Sequence, residues 1–509
     1  METIVKRDEW RWVAWAAALI LLASWLPYLA GWIAAPADSH FTGIVYNPLD
    51  GQSYIAKMRL GAEGSWLFHL VYTPEPQRGA VTFLFHLLLG HVARWTGLPL
   101  LAVYHGARTL GGLALLFGLY QLAAHLSDDV GQRRFLFLLT ALGAGLGWLA
   151  TPLGRQTPDV WVFEAFPFAS LLTNAHFPVS LALMAWMAHW GLELERSPRA
   201  AIGLIVGAAA LGVVQPFGLP TILGGLVVAW TVRAWQRRAV PWRAAGWLVL
   251  TVLLALPYPL YTVWVLRADP ILAVWNAQNV TPSPPLVDWL LGLGVLAPLA
   301  LIGVVSGVRQ GRAAHSLLVG WALATALGLA LPLDLSRRLS LGMGIPIGLL
   351  AGLGWGWAAG RLRRRARRLL TATLVAIAAP TALFLLLLGA AAALSGHSLL
   401  YLSDGEWSAL TWLRENAPRD AVVLCGPETG MFVPAWAGQR VVYGHPFETV
   451  RAAEREEQVR RFWAGERDET WLHALNVAYF FYGPRERVLG PPPAGEIVFE
   501  TDDTTIYRP

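Results

Sequence analysis

Long apolar stretches alternate with short polar or arginine-bearing ones along the first three quarters of the chain. A helix needs about 20 mostly apolar residues to cross a bilayer. Eleven segments approach or exceed this length, and the pattern predicts a polytopic α-helical membrane protein with about 11 transmembrane helices. The predicted spans are 12–35, 101–126, 134–151, 175–193, 199–215, 217–235, 244–265, 286–307, 315–333, 339–358 and 369–394.

The apolar segment 79–97 is predicted to lie on the outer surface as an interfacial helix. It contains His86, His91 and Arg94. If this segment crossed the membrane, every later loop would lie on the opposite side. Without that crossing, the N-terminus and the arginine-bearing connections all face the cytoplasm, as the positive-inside rule requires. Residues 36–100 then form one long external loop. The arginines that set this topology are Arg133, Arg134, Arg196, Arg199, Arg233, Arg237, Arg238, Arg243, Arg309, Arg312 and the six within 361–368.

After the last predicted span the pattern changes to mixed polar and apolar positions, with charged residues throughout. Asp404–Asn416 has the apolar spacing of a helix, and Val450–Ala464 that of a charged amphipathic helix. Short strands are predicted over 421–424, 440–443, 477–482, 497–500 and 504–507. We therefore predict two domains: a transmembrane domain over 1–394 and a small α/β extracytoplasmic domain over 395–509.

Composition agrees with a membrane protein and excludes several other classes. Of the 509 residues, 55% are hydrophobic and 14% are charged, well below the roughly one quarter of charged residues in soluble domains. The net charge of +6 equals the six arginines within 361–368, which have the character of a cytoplasmic loop, so no nucleic-acid partner is expected. The single Cys425 rules out an intramolecular disulfide.

A candidate catalytic carboxylate follows the first predicted span. Asn47 is expected to cap a helix and Pro48 suits its first turn, so Asp50 falls in that turn near the positive end of the helix dipole. An ionised carboxylate at the membrane face, with Tyr54 one turn further on, has the properties of a general base. The alternative is that Asp50 only supports the helix start, as first-turn acids often do.

A first span followed by an external loop with an early Asp50, and with Tyr54 four residues later, resembles the C-type (GT-C) membrane glycosyltransferases. These include the protein O-mannosyltransferases and the lipid A aminoarabinose transferases. The resemblance implies two surface helices in the first external loop, several spans and an external C-terminal domain. It covers most of the chain as architecture and residues 47–78 as motif.

The resemblance implies an inverting transfer of a sugar from a polyprenyl-phosphate donor to the hydroxyl of an extracytoplasmic lipid, glycan or protein. Asp50 would take the proton of that hydroxyl, and the lipid phosphate would leave. The enzyme would be a multi-pass protein of the plasma membrane, in contact with membrane lipids. The transferred sugar and the acceptor are left open.

Other polar residues of the external loops are candidates for the same site. Glu164, with His176 beyond it, matches the acidic position of the second external loop, and this acid would act on the acceptor or hold a metal. The alternative for Glu164 is a solvated loop acid. Because many relatives need no metal, no cofactor is predicted, although a divalent metal held by Asp50 and Glu164 stays possible.

Arginines at the outer face are candidates for the donor phosphate, since guanidinium groups form paired hydrogen bonds with phosphate. Arg337 and Arg338 stand at the predicted outer start of the span 339–358, and Arg78 lies in the first external loop. Their alternative role is contact with lipid headgroups. Lys57 is predicted to face headgroups. His445 is predicted to lie exposed in a structural turn, and the alternative is that it contacts the acceptor.

Two functions from other classes compete with sugar transfer. A transporter or flippase for lipid-linked glycans predicts polar residues inside the spans and internal symmetry. No internal repeat is evident in the sequence. An envelope-assembly protein, whose C-terminal domain binds partners, predicts that Asp50 is dispensable.

Overall fold

The computed structural model of the protein describes residues 5–308 and 311–509. Arg309, one of the arginines behind the predicted topology, lies outside the described residues. The chain divides into two compact units. We call the first, Met1–Leu26, Gly106–Leu260 and Thr281–Gly389, the helical unit. We call the second, Pro27–His105, Tyr261–Val280 and Ala390–Pro509, the mixed unit.

Helices account for most of the described residues. In chain order they are α1 Arg7–Ala34, α2 Pro48–Ala62, α3 Leu84–Thr96, α4 Leu100–Leu126, α5 Val130–Leu142, α6 Gly147–Ala150, α7 Pro158–Trp161, α8 Pro167–Leu172, α9 His176–Leu192, α10 Pro198–Val214, α11 Gly218–Arg237, α12 Trp242–Ala255, α13 Pro257–Ala268, α14 Pro270–Gln278, α15 Leu286–Leu293, α16 Leu296–Val308, α17 Ala313–Ala330, α18 Gly344–Ala359, α19 Arg364–Ala378, α20 Pro380–Leu394, α21 Asp404–Asn416, α22 Thr429–Phe432, α23 Ala452–Trp463, α24 Glu469–Ala474 and α25 Pro484–Arg487. Short 3₁₀ segments occupy Thr151–Leu153, Phe163–Ala165 and Ser336–Ser340, and Val433–Ala437 forms a π-helical turn.

Seven stretches of the described residues are helical, long and apolar enough to cross a membrane. They are Arg7–Ala34, Leu100–Leu126, Val130–Leu153, Gly218–Arg237, Trp242–Ala268, Ala313–Ala330 and Arg364–Leu394. The pair α15 and α16, bent by 82°, would form an eighth as a broken span. Helices α9, α10 and α18, with 17, 17 and 16 residues, match the other predicted spans but are shorter. The protein is therefore a multi-pass membrane protein, while the count of eleven spans stays a prediction.

Large apolar side chains remain exposed along these helices. Ile33 is 84% exposed, and Val305 is 69% exposed. Contiguous apolar surface of this kind is rare on soluble monomers and is the expected solvent-facing surface when the solvent is lipid. By contrast, α3 has only 13 residues, which is about 20 Å at 1.5 Å per residue and too short for a bilayer core of about 30 Å. The residues 79–97 thus do not form a complete spanning helix.

Two helices fill much of the first predicted loop, as the family resemblance implied. Helices α2 and α3 pack at close range through glycines. A Cβ on Gly61 would collide with the carbonyl oxygen of Leu87, and one on Gly90 would collide with the carbonyl oxygen of Met58. The absence of side chains at these two positions allows the helix backbones to approach each other. This packing fixes the helix that carries Asp50.

The C-terminal residues form a five-stranded sheet of order β4-β3-β5-β7-β6. Its strands are β3 Val422–Leu424, β4 Arg440–Val441, β5 Val477–Tyr482, β6 Glu496–Glu500 and β7 Thr505–Arg508. β3 is parallel to β4 and β5, whereas β7 is antiparallel to both β5 and β6. Helix α23 buries Val459, Phe462 and Trp463 against strand residues of this sheet. The bounds of α21 and β5 are those predicted from the sequence.

The residues after the first span pair directly with the C-terminal residues. Strand β1, Ser39–Phe41, runs antiparallel to β2, Tyr401–Ser403, with Ser39 opposite Ser403. Helix α21 begins at a capping box made by Ser403 and Glu406. Glu406 in turn accepts a hydrogen bond from Arg485 of α25. These contacts join β1 to the C-terminal residues within the mixed unit.

Candidate active site

Asp50 lies in the first turn of α2, as predicted. Pro48 occupies the first helical position, and the left-handed Asn47 precedes it at φ 50°. The Asn47 side chain does not cap the helix, which corrects the expected capping role. Its amide instead donates a hydrogen bond of 2.5 Å to Oδ2 of Asp50. The Asp50 side chain is 37% exposed, so one face of the carboxylate remains open to a reactant.

The other oxygen of Asp50 faces a histidine that the sequence analysis assigned to an exposed turn. Nε2 of His445 lies 3.3 Å from Oδ1 of Asp50. His445 is only 1% exposed, which corrects the predicted exposure. Sequence reasoning missed this pair because Asp50 and His445 lie far apart in the chain, and the nearer acid, Glu448, pairs with Lys57. The one available signal was the Gly444-His445-Pro446 turn after a predicted strand, a setting that often serves a site.

The hydrogen-bond donors hold Asp50 in its ionised form. Burial acts to raise the pKa of Asp50. The close contact with His445, the hydrogen bond from Asn47 and the positive charge of Lys57 outweigh that effect and lower the pKa to about 2. Asp50 is thus an oriented and partly exposed carboxylate at neutral pH, which is the state that a general base requires.

Lys57 does not face lipid headgroups, contrary to the prediction. It is 1% exposed, and its Nζ lies 2.8 Å from Oε1 of Glu448 and 3.1 Å from Oγ of Ser53. Burial without such partners would cost several kcal/mol, so Glu448 is what permits a lysine here. Tyr54 lies between this group and α3, with its ring stacked on His86 at 4.4 Å.

The second-loop candidates belong to the helical unit. Glu164 lies in the 3₁₀ segment Phe163–Ala165 and is 8% exposed, so the alternative of a solvated loop acid is wrong. Its backbone carbonyl accepts a hydrogen bond from the N–H of Gly342. His176 begins α9 and is also buried. Both side chains are therefore held inside the fold.

The two arginines predicted to bind phosphate lie in the 3₁₀ segment Ser336–Ser340, just before α18. Their guanidinium groups lie over aromatic faces, Arg337 5.0 Å from the ring of Trp161 and Arg338 5.6 Å from the ring of Phe217. Both side chains are half-buried. The Gly342 contact with Glu164 places this segment beside the second-loop candidates.

Arg78, the other arginine candidate, is exposed. The same loop contains Glu75, which accepts hydrogen bonds from Arg455 at 2.9 Å and from Arg451 at 3.4 Å. These contacts secure the loop and leave Arg78 at its surface. Among the described residues, no group of three or more His, Cys, Asp or Glu side chains is placed to hold a metal ion.

The predicted site residues therefore fall into two sets. Asp50, Tyr54 and Arg78 belong to the mixed unit, and Asp50 is joined there by His445. Glu164, His176, Arg337 and Arg338 belong to the helical unit. The direct contacts seen are those of Asp50 with Asn47 and His445 in the first set, and that of Gly342 with Glu164 in the second.

Comparisons with known proteins show structural relatives only: no family model matches the sequence, and no curated protein sequence matches it. The oligosaccharyltransferase of Archaeoglobus fulgidus, solved as a complex with Zn and sulfate, aligns with a TM-score of 0.50 and 14% identity, over 91% of this chain and 67% of that chain. ArnT from Cupriavidus metallidurans bound to undecaprenyl phosphate aligns with a TM-score of 0.52 and 13% identity, over 97% of this chain and 98% of that one.

The arabinofuranosyltransferase AftD from Mycobacteria aligns with a TM-score of 0.54 and 16% identity. The alignment covers 99% of this chain but only 40% of that chain. At such low identities these likenesses establish the fold alone. The resemblance inferred from the sequence is confirmed at that level, and the chain has the fold of the GT-C membrane glycosyltransferases.

Proposed function

We propose that the protein is a glycosyltransferase that moves a sugar from a polyprenyl-phosphate donor to an extracytoplasmic hydroxyl group. The observation that carries this proposal is Asp50: an ionised carboxylate, 37% exposed, oriented by Asn47 and His445 on a helix of a GT-C fold. The structure of ArnT bound to undecaprenyl phosphate supports the class of donor.

The proposed reaction is a direct displacement. The acceptor oxygen attacks the anomeric carbon, its proton passes to Asp50, and the bond from that carbon to the phosphate oxygen breaks. The polyprenyl phosphate leaves with the bonding electrons, and configuration at the anomeric carbon inverts. The contribution of the protein is positioning, a base, and cations for the leaving phosphate.

Arg337 and Arg338 are the proposed phosphate ligands. Among the residues that the structure describes, Arg338 forms no ion pair, so its charge is available to an anionic ligand. Glu164 and His176 are proposed to contact the acceptor, and Tyr54 and Arg78 to contact substrate near Asp50. No metal takes part in this scheme.

Substitution of Asp50 tests the function. Purified protein in lipid nanodiscs is supplied with undecaprenyl-phosphate-linked hexoses, pentoses and aminopentoses, together with a bacterial cell-envelope extract as the source of acceptor hydroxyl groups. The undecaprenyl phosphate formed is measured by mass spectrometry. Asp50→Asn keeps shape and removes basicity, so kcat should fall by roughly 10²–10⁴-fold while donor binding survives.

A second acid at a helix start provides the matched control. Asp269 caps α14 through hydrogen bonds to the N–H groups of Ile271 and Leu272, both at 2.9 Å. Asn is also a good capping residue, so Asp269→Asn should preserve activity. An active Asp50→Asn variant would mean that Asp50 only supports its helix. A wild-type protein that binds these donors without releasing lipid phosphate would contradict sugar transfer itself.

The proposed orientation places the N-terminus in the cytoplasm, and residues 36–100 and 395–509 outside the plasma membrane. Thr96 and Asp128 are both exposed, whereas Cys425 is buried. In a Cys425→Ser background, an impermeant thiol reagent applied to intact cells should label Thr96→Cys but not Asp128→Cys. The reverse pattern would overturn this orientation.

A further inference from the structure

The loop Gly444–Thr449 brings a buried imidazole to the carboxylate of Asp50. The Nδ1 atom of His445 lies 3.1 Å from the backbone nitrogen of Phe447 and accepts its hydrogen bond. A nitrogen that accepts carries no proton, so the neutral ring has its proton on Nε2. Nε2 is the atom that faces Oδ1 of Asp50 at 3.3 Å. The histidine therefore presents its Nε2 proton to the carboxylate as a close electrostatic contact rather than as an aligned hydrogen bond.

We propose that His445 is a positioning residue, which holds Asp50 ionised and in one orientation but does not itself receive the proton of the reaction. The proposal rests on the proposed function, in which Asp50 is the base. Protonation of Nδ1 would set its new N–H against the N–H of Phe447 inside a buried site. The proton taken from the acceptor therefore stays on Asp50, and it leaves through the exposed face of that carboxylate.

The loop is anchored on both sides, which gives His445 its fixed direction. The hydroxyl of Thr449 accepts hydrogen bonds from the N–H groups of Gly444 and His445, each at 3.3 Å. Trp275 of α14 donates to the carbonyl oxygen of Phe447 at 2.7 Å. Each of these contacts lies within the mixed unit. The ring is thus held by backbone contacts that do not depend on Asp50.

The other polar groups around Asp50 do not replace His445. The side-chain amide of Asn47 donates its hydrogen bond to the other carboxylate oxygen, Oδ2. The charge of Lys57 is compensated by Glu448 at 2.8 Å. Tyr72 donates its hydroxyl proton to the carbonyl of Met431 at 3.0 Å, and burial and nearby acids raise its pKa, so it stays neutral. Loss of the imidazole would remove the polar group that faces Oδ1 at 3.3 Å.

A purely structural role for His445 predicts a different result. The ring also lies 5.7 Å from the ring of Tyr72 and 6.2 Å from that of Phe447, so it could serve only to fill space. A space-filling ring affects stability, but it does not change the pH at which Asp50 becomes protonated. The protonation of Asp50 therefore separates the two roles.

The test measures that protonation without any sugar donor. Dicyclohexylcarbodiimide reacts with protonated carboxyl groups, and mass spectrometry of the full-length protein in nanodiscs can report the labelling rate of Asp50 at pH 5. One pKa unit corresponds to a tenfold change in the protonated fraction well above the pKa. His445→Leu should raise the labelling of Asp50 at least about tenfold. His445→Gln, whose side-chain amide can donate from nearly the same point, should label like wild type.

Two controls keep the test specific. His91 is another buried histidine of the mixed unit, 2% exposed, but its Nε2 lies 3.1 Å from the carbonyl oxygen of Ser65 rather than near an acid. His91→Leu should leave the labelling of Asp50 unchanged. If His445→Leu does not fold, His445→Met gives the same comparison with an unbranched side chain.

Equal labelling of wild type and the apolar variants would overturn the proposal, as would a Gln variant that labels like the Leu variant. Failure of the proposed function is distinguishable, because it is decided by Asp50→Asn. If His445→Leu raises the labelling of Asp50 but the Asp50→Asn variant is active, His445 still positions Asp50, and Asp50 has no catalytic role. If His445→Leu leaves the labelling unchanged and the Asp50→Asn variant is inactive, only the role of His445 is wrong.

Discussion

Asp50 in the mixed unit and Asp159 in the helical unit have similar surroundings in sequence but opposite surroundings in space. Each lies in the first turn of a helix that begins with a proline, α2 at Pro48 and α7 at Pro158. Asp159 is 1% exposed and accepts hydrogen bonds from the N–H of Gly147 at 2.9 Å and from Thr157 and Thr381 at 2.5 and 3.1 Å. Asp50 is 37% exposed.

The difference lies in burial and in the charge nearby. Burial raises the pKa of Asp159, and its hydrogen bonds from neutral groups do not offset that effect. For Asp50 the close contact with His445, the hydrogen bond from Asn47 and the charge of Lys57 more than offset burial. A first-turn aspartate can thus be a sealed structural group or a reachable base. The polar groups that folding brings to the carboxylate, and not the local motif, decide whether a first-turn aspartate is structural or catalytic.

The largest expected contrast is in catalysis. Asp50→Asn should lower kcat by roughly 10²–10⁴-fold, because the base is lost. Asp159→Asn should leave kcat near the wild-type value, because a buried acid that binds only neighbouring protein groups does not reach the reactants. Release of undecaprenyl phosphate from the donor measures both. A greater loss for Asp159→Asn than for Asp50→Asn would reverse the two assignments.

The next contrast concerns the arginines of the helical unit. The double substitution Arg337→Gln and Arg338→Gln should weaken donor use by about 10–150-fold, since a charge-assisted hydrogen bond contributes about 1.5–3 kcal/mol. The position of Asp50 should not change, so the pH dependence of the rate should be that of wild type. As a control, Arg361→Gln removes an exposed guanidinium that stacks 3.5 Å over Trp357. Wild-type efficiency in the double variant would make the two arginines headgroup anchors.

A smaller contrast is expected in stability. Asp159→Leu leaves the N–H of Gly147 without its acceptor in the interior, which should cost about 1–3 kcal/mol of unfolding free energy. Asp50→Asn keeps a polar side chain at a partly exposed position and should cost less. Chemical unfolding in detergent measures the two variants under the same conditions. Equal losses would show that Asp50 is as deeply structural as Asp159.

The smallest expected effect is on stability, because the contributions of Asp50 and Asp159 to it should change with pH in opposite directions. The pKa of folded Asp50 lies below its ordinary value of 3.8, so its stabilising contribution is complete above that value and is lost as pH falls toward about 2. The pKa of folded Asp159 lies above 3.8, so wild type should gain stability relative to Asp159→Asn as pH falls through that raised pKa. Unfolding of wild type and of both Asn variants between pH 3 and pH 7 checks the opposite slopes.

The hydrophobic pattern by itself determined most of the helical architecture. Apolar runs long enough for a bilayer leave the chain few alternatives, because an unpaired backbone in lipid is too costly. Elements such as α21 and β5 were also predicted with their observed bounds, since capping residues and alternating apolar positions act locally. The early Asp50 and the first-loop helices were enough to indicate the GT-C fold.

Only the tertiary structure decided which polar residues meet. Lys57 and Glu448 are 391 positions apart in the chain, and Asp50 and His445 are separated by a similar distance. No local pattern encodes such a pairing, because it arises from the packing of the first-loop helices with the C-terminal residues inside the mixed unit. Sequence therefore identified Asp50 as a candidate base, whereas its ionisation, its orientation and its partner His445 follow from contacts that exist only in the folded chain.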